Sequence, residues 1–219
     1  MVMAAFAPLI APYSPIDQTL RDKLLPPVWL DGGSAKYLLG TDSFGRDILS
    51  RLVHGARVSL IVALLALTAG GGIGLVIGIV SGYLGGAVDN ILMRLVDAAF
   101  TFPAILFALL LAVTMGQGMA TLVIAISLLL WASFARVIRG EVLALKQRDF
   151  VALAKVRGCS AVRIMLTHIL PNVMNTFMVL MSLYVGAVIV AEASLSFLGA
   201  GIPPPTPSWG LMVAEGRGK

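Results

Sequence analysis

Residues 149–171 read DFVALAKVRGCSAVRIMLTHILP, a polar and basic stretch set between two long apolar runs. It reads as two short helices joined at a glycine. Asp149 is placed to cap the first helix, whose apolar residues are Phe150, Val151, Leu153, Ala154 and Val156. Gly158 stands where a helix C-terminus calls for a left-handed residue, and Ser160 is placed to cap the second helix. In that helix Val162, Met165, Leu166 and Ile169 recur at three- and four-residue spacing and make one apolar stripe. Pro171 then stops the helix or kinks the start of the next apolar run. A membrane protein that presents a compact helical knob on its aqueous side is offering a handle to a soluble partner. The competing reading is an amphipathic hairpin lying idle at the interface.

Composition agrees with a membrane protein. The 219 residues are 58% hydrophobic and 12% charged, with a mean hydropathy of +0.95, against roughly 25% charged residues in a soluble domain. The net charge of +5 does not point to nucleic acid, because the basic residues gather beside apolar spans. Cys159 is the single cysteine, so neither an intrachain disulfide nor a cysteine-based metal cluster is available. His54 and His168 are far apart in sequence and form no metal site. The tail Gly218-Lys219 lacks the remaining residues of a phosphate-binding loop. No HExxH and no serine–histidine–acid arrangement is present, so no catalytic residue is assigned. The chain supplies a pathway, not a reaction, and is not read as an enzyme.

Taken in order, residues 1–12 are apolar but too short to cross a layer of about 30 Å, which takes roughly 20 helical residues. They read as the last turns of a partial span. Residues 13–57 are polar, hold Pro15, Pro26, Pro27 and the turn Asp31-Gly32-Gly33, and read as an external loop. The loop closes with an amphipathic surface helix, capped by Asp42 or Ser43, with Ile48, Leu49, Leu52 and Val53 on one face. Residues 58–84 make the first complete span. Gly70, Gly74, Gly78 and Gly82 leave one of its faces nearly bare, which suits close helix packing in lipid; a glycine ridge along a solute path is the alternative. Residues 85–97 read as a short turn with Asp89, Arg94 and Asp97. Further spans follow at 98–116, with Pro103 near its start, and at 119–137, anchored by Arg136 and Arg139. The last complete span, 172–198, contains one buried acid, Glu192. Glu192, with Ser194 nearby, is a candidate for gating or cargo contact, and a structural hydrogen bond is the competing role. Residues 201–219 form a proline-rich tail. The fold expected is an all-α, polytopic transmembrane helical bundle with four complete spans and a partial N-terminal one, its core running over residues 58–200.

Charge sets the orientation. Segment 136–163 carries seven basic residues against two acidic ones, whereas segment 13–57 carries six against five. The positive-inside rule therefore puts loop 141–171 in the cytoplasm and both the 13–57 segment and the tail outside.

Residues Ala152-Leu153-Ala154, then Gly158, then His168-Ile169-Leu170-Pro171-Asn172 resemble the cytoplasmic loop of ABC importer permeases. That pattern is E-A-A, a glycine four residues after the last alanine, then I-x-L-P. Ala152 replaces the family's glutamate and Leu153 its first alanine; the glycine, the leucine-proline pair and the register match. Two further strings, GTDSFGRDILSRLVHGAR at 40–57 and EASLSFLGAGIPPPTPSWGLMVAEGR at 192–217, are similar to the dipeptide, oligopeptide and nickel branch of these permeases. Relatives of that branch carry six spans, so this chain looks like one lacking most of its first and all of its last.

The resemblance implies a type I importer permease in the cell inner membrane, paired with a second permease. It further implies two cytoplasmic ATP-binding subunits that hold ATP and magnesium, an external solute-binding protein, and no cofactor on this chain. The coupling loop would use Ala152, Ala154, Arg157, Gly158, Ser160, Val162, Arg163, Met165, Leu166 and Pro171. The motif outside would use Gly40, Asp42, Gly45, Arg46, Asp47 and Arg51, whose charges otherwise pair with headgroups or one another. Di- or oligopeptides are the expected cargo, with nickel as the alternative. A secondary transporter driven by an ion gradient and a nonfunctional fragment are the readings from other classes.

Overall fold

A computed structural model describes residues 7–216 of the chain. The expected partial span at 1–12 and the end of the 201–219 tail lie partly outside these residues. Among the described residues the architecture is helical, with no strand beyond an isolated bridge between Thr41 and Asp47.

Helix α1 runs Ile48–Leu84 without a break, so the expected surface helix and first span are one element. Its cap is Asp47, whose Oδ2 accepts the Ser50 N–H at 2.8 Å and the Ser50 hydroxyl at 2.6 Å. Neither Asp42 nor Ser43 serves, because Asp42 Oδ1 is taken by the N–H groups of Phe44 and Arg46 within the preceding turn. Gly85 and Gly86 then turn the chain with positive φ. Helix α2, Gly86–Thr101, follows where a short turn was expected. Met93, Val96 and Ala99 recur every three residues and pack with Ala132, Ala135 and Trp131, while the acids that suggested a turn are satisfied by distant arginines.

Helix α3, Ala104–Met115, is bent 85° from α2 at Phe102-Pro103. Pro103 forces its predecessor out of the helical region, and Phe102 is extended. Twelve residues reach only about 18 Å, so α3 alone does not cross the layer expected of the span at 98–116. Among the described residues, three helices are long and apolar enough to cross a membrane, or up to four if the bent pair counts as one. Helix α4, Met119–Leu145, extends two turns beyond the expected end, because Ile138 and Val142 remain buried.

Helix α5, Asp149–Val156, and helix α6, Ala161–Ile164, form the knob. A π-turn, Met165–Ile169, leads into helix α7, Leu170–Phe197. Pro171 therefore does not stop the helix. Its missing donor and its clash with the carbonyl four residues back fall where the widened π-turn has already opened the hydrogen-bond ladder. Helix α8, Trp209–Gly216, ends the described chain.

Contacts gather the chain into two compact units. One holds the chain up to Ala63, Leu109–Leu122 and the chain from Ile189 onward; the other holds Leu64–Ala108 and Val123–Val188. In the second unit the glycine ridge of α1 lies directly on α4. A Cβ at Gly70 would stand 2.7 Å from the Ser127 carbonyl oxygen, one at Gly74 2.5 Å from that of Trp131, and one at Gly78 2.8 Å from that of Ala135. At Gly82 it would meet Val142 at 2.8 Å. The ridge is a packing surface, not a bare path.

Candidate functional site

The knob lies within the second unit. Arg148, extended, precedes α5, so Asp149 is its first helical residue and not its cap; there it complements the positive helix end. The other end closes as a Schellman turn: the Gly158 N–H bonds to the Lys155 carbonyl at 2.9 Å and the Cys159 N–H to that of Ala154 at 3.1 Å. Gly158 has φ +76°, the left-handed value anticipated for it. Ser160 caps α6, its hydroxyl accepting the Arg163 N–H at 3.4 Å.

The apolar residues divide into two sets. Val151, Ala154, Ile164 and Ile169 are buried and hold the two helices on the unit. Val156 at 85%, Val162 at 60% and Leu166 at 58% remain exposed. The expected single stripe is thus split: Ile169 turns inward with Ile164, Met165 is half-buried, and Val162 and Leu166 turn outward with Arg163. Ile169 follows Ile164 by five positions, because the π-turn Met165–Ile169 widens the ladder there. Ala152 and Arg157 are exposed on α5 and at its end. A groove of about 210 Å³ is lined by Phe150, Leu153, Ala154, Arg157, Cys159 and His168.

Also in this unit, two ion pairs fasten α2 to α4. Arg139 donates from Nε and Nη2 to the two Asp89 oxygens, each at 2.6 Å. Arg136 meets Asp97 at 2.5 Å and lies over the Phe100 ring. Both arginines are therefore inside a longer helix, and each holds an acid.

The first unit contains a second cluster. Asp42 is bound by Arg46 Nε at 2.6 Å and by Arg51 Nη1. Glu215 of α8 accepts from Arg46 at 2.8 Å and Arg51 at 2.7 Å. Arg51 is 1% exposed. Asp42, Arg46 and Arg51 of the 40–57 motif therefore pair with each other and with Glu215. Gly45 and Gly40 are glycine because a Cβ would meet the Thr19 carbonyl oxygen at 1.9 Å and that of Leu25 at 2.2 Å. Burial pushes the Asp42 carboxyl upward, but the N–H groups of Arg46 and Phe44 and the Arg46 guanidinium outweigh it and hold the group below its ordinary value.

Glu192 is 0% exposed. Its oxygens accept the Ser59 hydroxyl at 2.9 Å and the Ser196 hydroxyl at 2.8 Å. Ser194 instead bonds to the Val190 carbonyl of its own helix. The sequence reading did not single out Ser59, Ser196 or Glu215. Ser196 stands one turn from Glu192 and was findable; Ser59 and Glu215 are joined to their partners only by the fold.

The comparisons agree with this architecture. Residues 74–218 match the family described as binding-protein-dependent transport system inner membrane component. The di/tripeptide transport system permease protein DppC of Pseudomonas aeruginosa is 40% identical over 98% of this chain and 71% of its own length. The dipeptide transport system permease protein DppC of Bacillus subtilis is 40% identical over 98% of the chain and 65% of its own. The glutathione transport system permease protein GsiD of Escherichia coli is 40% identical over 99% and 70%. The chain thus spans about two thirds of these relatives' length. It belongs to the family of binding-protein-dependent transport system inner membrane components. It is a membrane-embedded helical permease of that transport class.

Proposed function

We propose that this chain forms half of the solute pathway of an ATP-driven importer of di- or oligopeptides and receives its driving force through residues 149–171. The carrying observation is the knob: a glycine-jointed helix pair, anchored by Val151, Ala154, Ile164 and Ile169, that leaves Val156, Val162 and Leu166 exposed beside Arg157 and Arg163. Rigid backing with an apolar, cation-flanked outer face suits docking into a cleft of a soluble protein. The excess of basic residues over 136–163 supports a cytoplasmic position for it. Two cytoplasmic ATPases, binding ATP and magnesium themselves, would hold the knobs of this chain and of a second permease. Closure of the ATPases on ATP then rocks the helices, which is differential binding of two states. The peptide and glutathione cargo named for the relatives supports small peptides here.

The test is a mild-detergent pull-down of the tagged chain from its native host. A second permease and ATPase subunits are expected. Arg157→Glu with Arg163→Glu should lose the ATPases and keep the second permease. Retention of the ATPases would refute the docking surface, and peptide uptake that follows an ion gradient without ATP would refute the importer.

A further inference from the structure

At the end of α1 two cations converge on one buried ring. Lys146, the residue after α4, and Lys155 of α5 each place Nζ 5.7 Å from the centroid of the Tyr83 ring. Tyr83 is 7% exposed, and all three residues belong to the second unit. The negative face of an aromatic ring attracts ammonium groups, which lets two like charges gather there. Among the described residues neither lysine is in an ion pair. Asp89 is the acid that feels Lys146, and Arg139 already holds both of its oxygens at 2.6 Å. That pair is neutral, so it does not cancel the two lysine charges. The chain beside them is Gly85-Gly86, which puts no side chain over the ammonium groups. A Cβ at Gly85 would stand 3.7 Å from Lys146 Nζ, and one at Gly86 would meet nothing within 4 Å.

Depth selects the occupant. The apolar run of α1, Val58–Leu84, measures about 40 Å against a hydrocarbon layer of about 30 Å. Tyr83 stands one residue from the end of that run. Shared equally, the excess sets the last turn about 5 Å past the hydrocarbon edge, inside a headgroup layer of about 5–8 Å per side. Displaced wholly to the other end, it leaves Tyr83 at the edge itself. In both seatings the ammonium groups lie among the headgroups, because a charge does not enter the hydrocarbon. Leu84 and Val88, on either side of the glycine turn, are apolar and exposed. A soluble anion would leave them against water, whereas a lipid covers them with acyl carbons.

We propose that Lys146 and Lys155, set on Tyr83, form a site for the phosphate headgroup of an anionic phospholipid whose acyl chains run beside Leu84 and Val88. The bound lipid joins the end of α4 to the first helix of the knob. This site requires only that the chain is embedded in a membrane, so it stands or falls apart from the docking of ATPases.

The test titrates phosphatidylglycerol against the full chain, purified in a nonionic detergent, with bound lipid counted by native mass spectrometry. Lys146→Gln and Lys155→Gln are each expected to raise the Kd roughly fivefold, and together roughly 25-fold, as for two interfacial lysines. Lys146→Arg with Lys155→Arg keeps the charge and should keep most of the affinity. Arg157→Gln with Arg163→Gln removes the same charge from the outward face of the knob and should change the Kd by less than about threefold. Lys155 is exposed and Lys146 half-buried, so these variants should fold, which size exclusion checks; Lys155→Gln alone still decides the matter if Lys146→Gln does not. A Kd within twofold of the unaltered chain in the double lysine variant overturns the proposal. Equal losses in the lysine and arginine pairs would show diffuse attraction without a site and overturn it too. Displacement of the lipid by millimolar inorganic phosphate would make this a site for free phosphate, and phosphatidylcholine binding as tightly would show that anionic charge is not read; either result overturns the assignment.

Discussion

Two glycines two residues apart in α1 should respond to alanine with opposite signs. At Gly74 a Cβ would stand 2.5 Å from both the Trp131 carbonyl oxygen and Phe134 Cβ, and 2.9 Å from the Ala135 nitrogen. Two of these three atoms are backbone, so no side-chain rotation relieves the clash and the helices must separate. Overpacking of this kind costs about 1–3 kcal/mol. At Gly72 nothing lies within 4 Å. There alanine only removes the conformational freedom of glycine from a helix interior, a gain of about 0.5–1 kcal/mol. One kcal/mol moves the midpoint by about 2–4 °C at this chain length. Thermal unfolding of the purified protein in one detergent should therefore show Gly74→Ala falling by several degrees and Gly72→Ala unchanged or slightly raised. Equal losses at both positions would refute the packing assignment, and a neutral Gly74→Ala would show that the two helices do not touch along this ridge.

Other perturbations read the remaining elements. Gly158→Ala meets no atom within 4 Å but must adopt φ +76°; the left-handed cost of about 1–2 kcal/mol should appear as faster hydrogen exchange across 149–165 and nowhere else. Glu192→Ala removes the acceptor for the Ser59 and Ser196 hydroxyls and should lose about 1–3 kcal/mol, whereas Glu192→Gln, which keeps an acceptor, should lose less in the same thermal assay. Asp42→Ala leaves Arg46 and Arg51, both nearly buried, to Glu215 alone, and a loss of about 3 kcal/mol is expected, at the low end for breaking a buried pair. The Asp42 carboxyl is held below its ordinary 3.8, so its stabilisation is present above that value and drains away as pH falls through the lower folded one. The midpoint should not change between pH 7 and 5 on its account, and the decline below about pH 4 should be smaller in Asp42→Asn.

The local parts of this molecule were open to reading and the distant pairings were not. Gly158 and Ser160 obey rules that act within one turn, and both do what their positions demand. The long apolar runs likewise announced their helices. Helix α2 was missed because Asp89 and Asp97 look like turn residues until Arg139 and Arg136, 50 and 39 positions away, are seen to hold them. The continuation through Pro171 depends on a π-turn, which no residue of MLTHI advertises. The split of the Val162, Met165, Leu166 and Ile169 stripe has the same origin, since a π-turn changes which residues share a face. In the second cluster the arginines were legible as charges seeking partners, but Glu215 is 164 positions from Arg51, and only the folded chain brings it there.

The glycine ridge also decides what can move. Where α1 meets the backbone of α4 at Gly70, Gly74 and Gly78, there is little side chain on the α1 side to rearrange or shear. Such a contact has one seating, so α1 and α4 over this length behave as a chassis. Motion within this unit must then be taken up at its joints, and two have been described: the 85° break at Phe102-Pro103 and the π-turn at Met165–Ile169. The second of them carries the knob, within the same unit as a frame that the four-residue repeat of glycine holds in one seating.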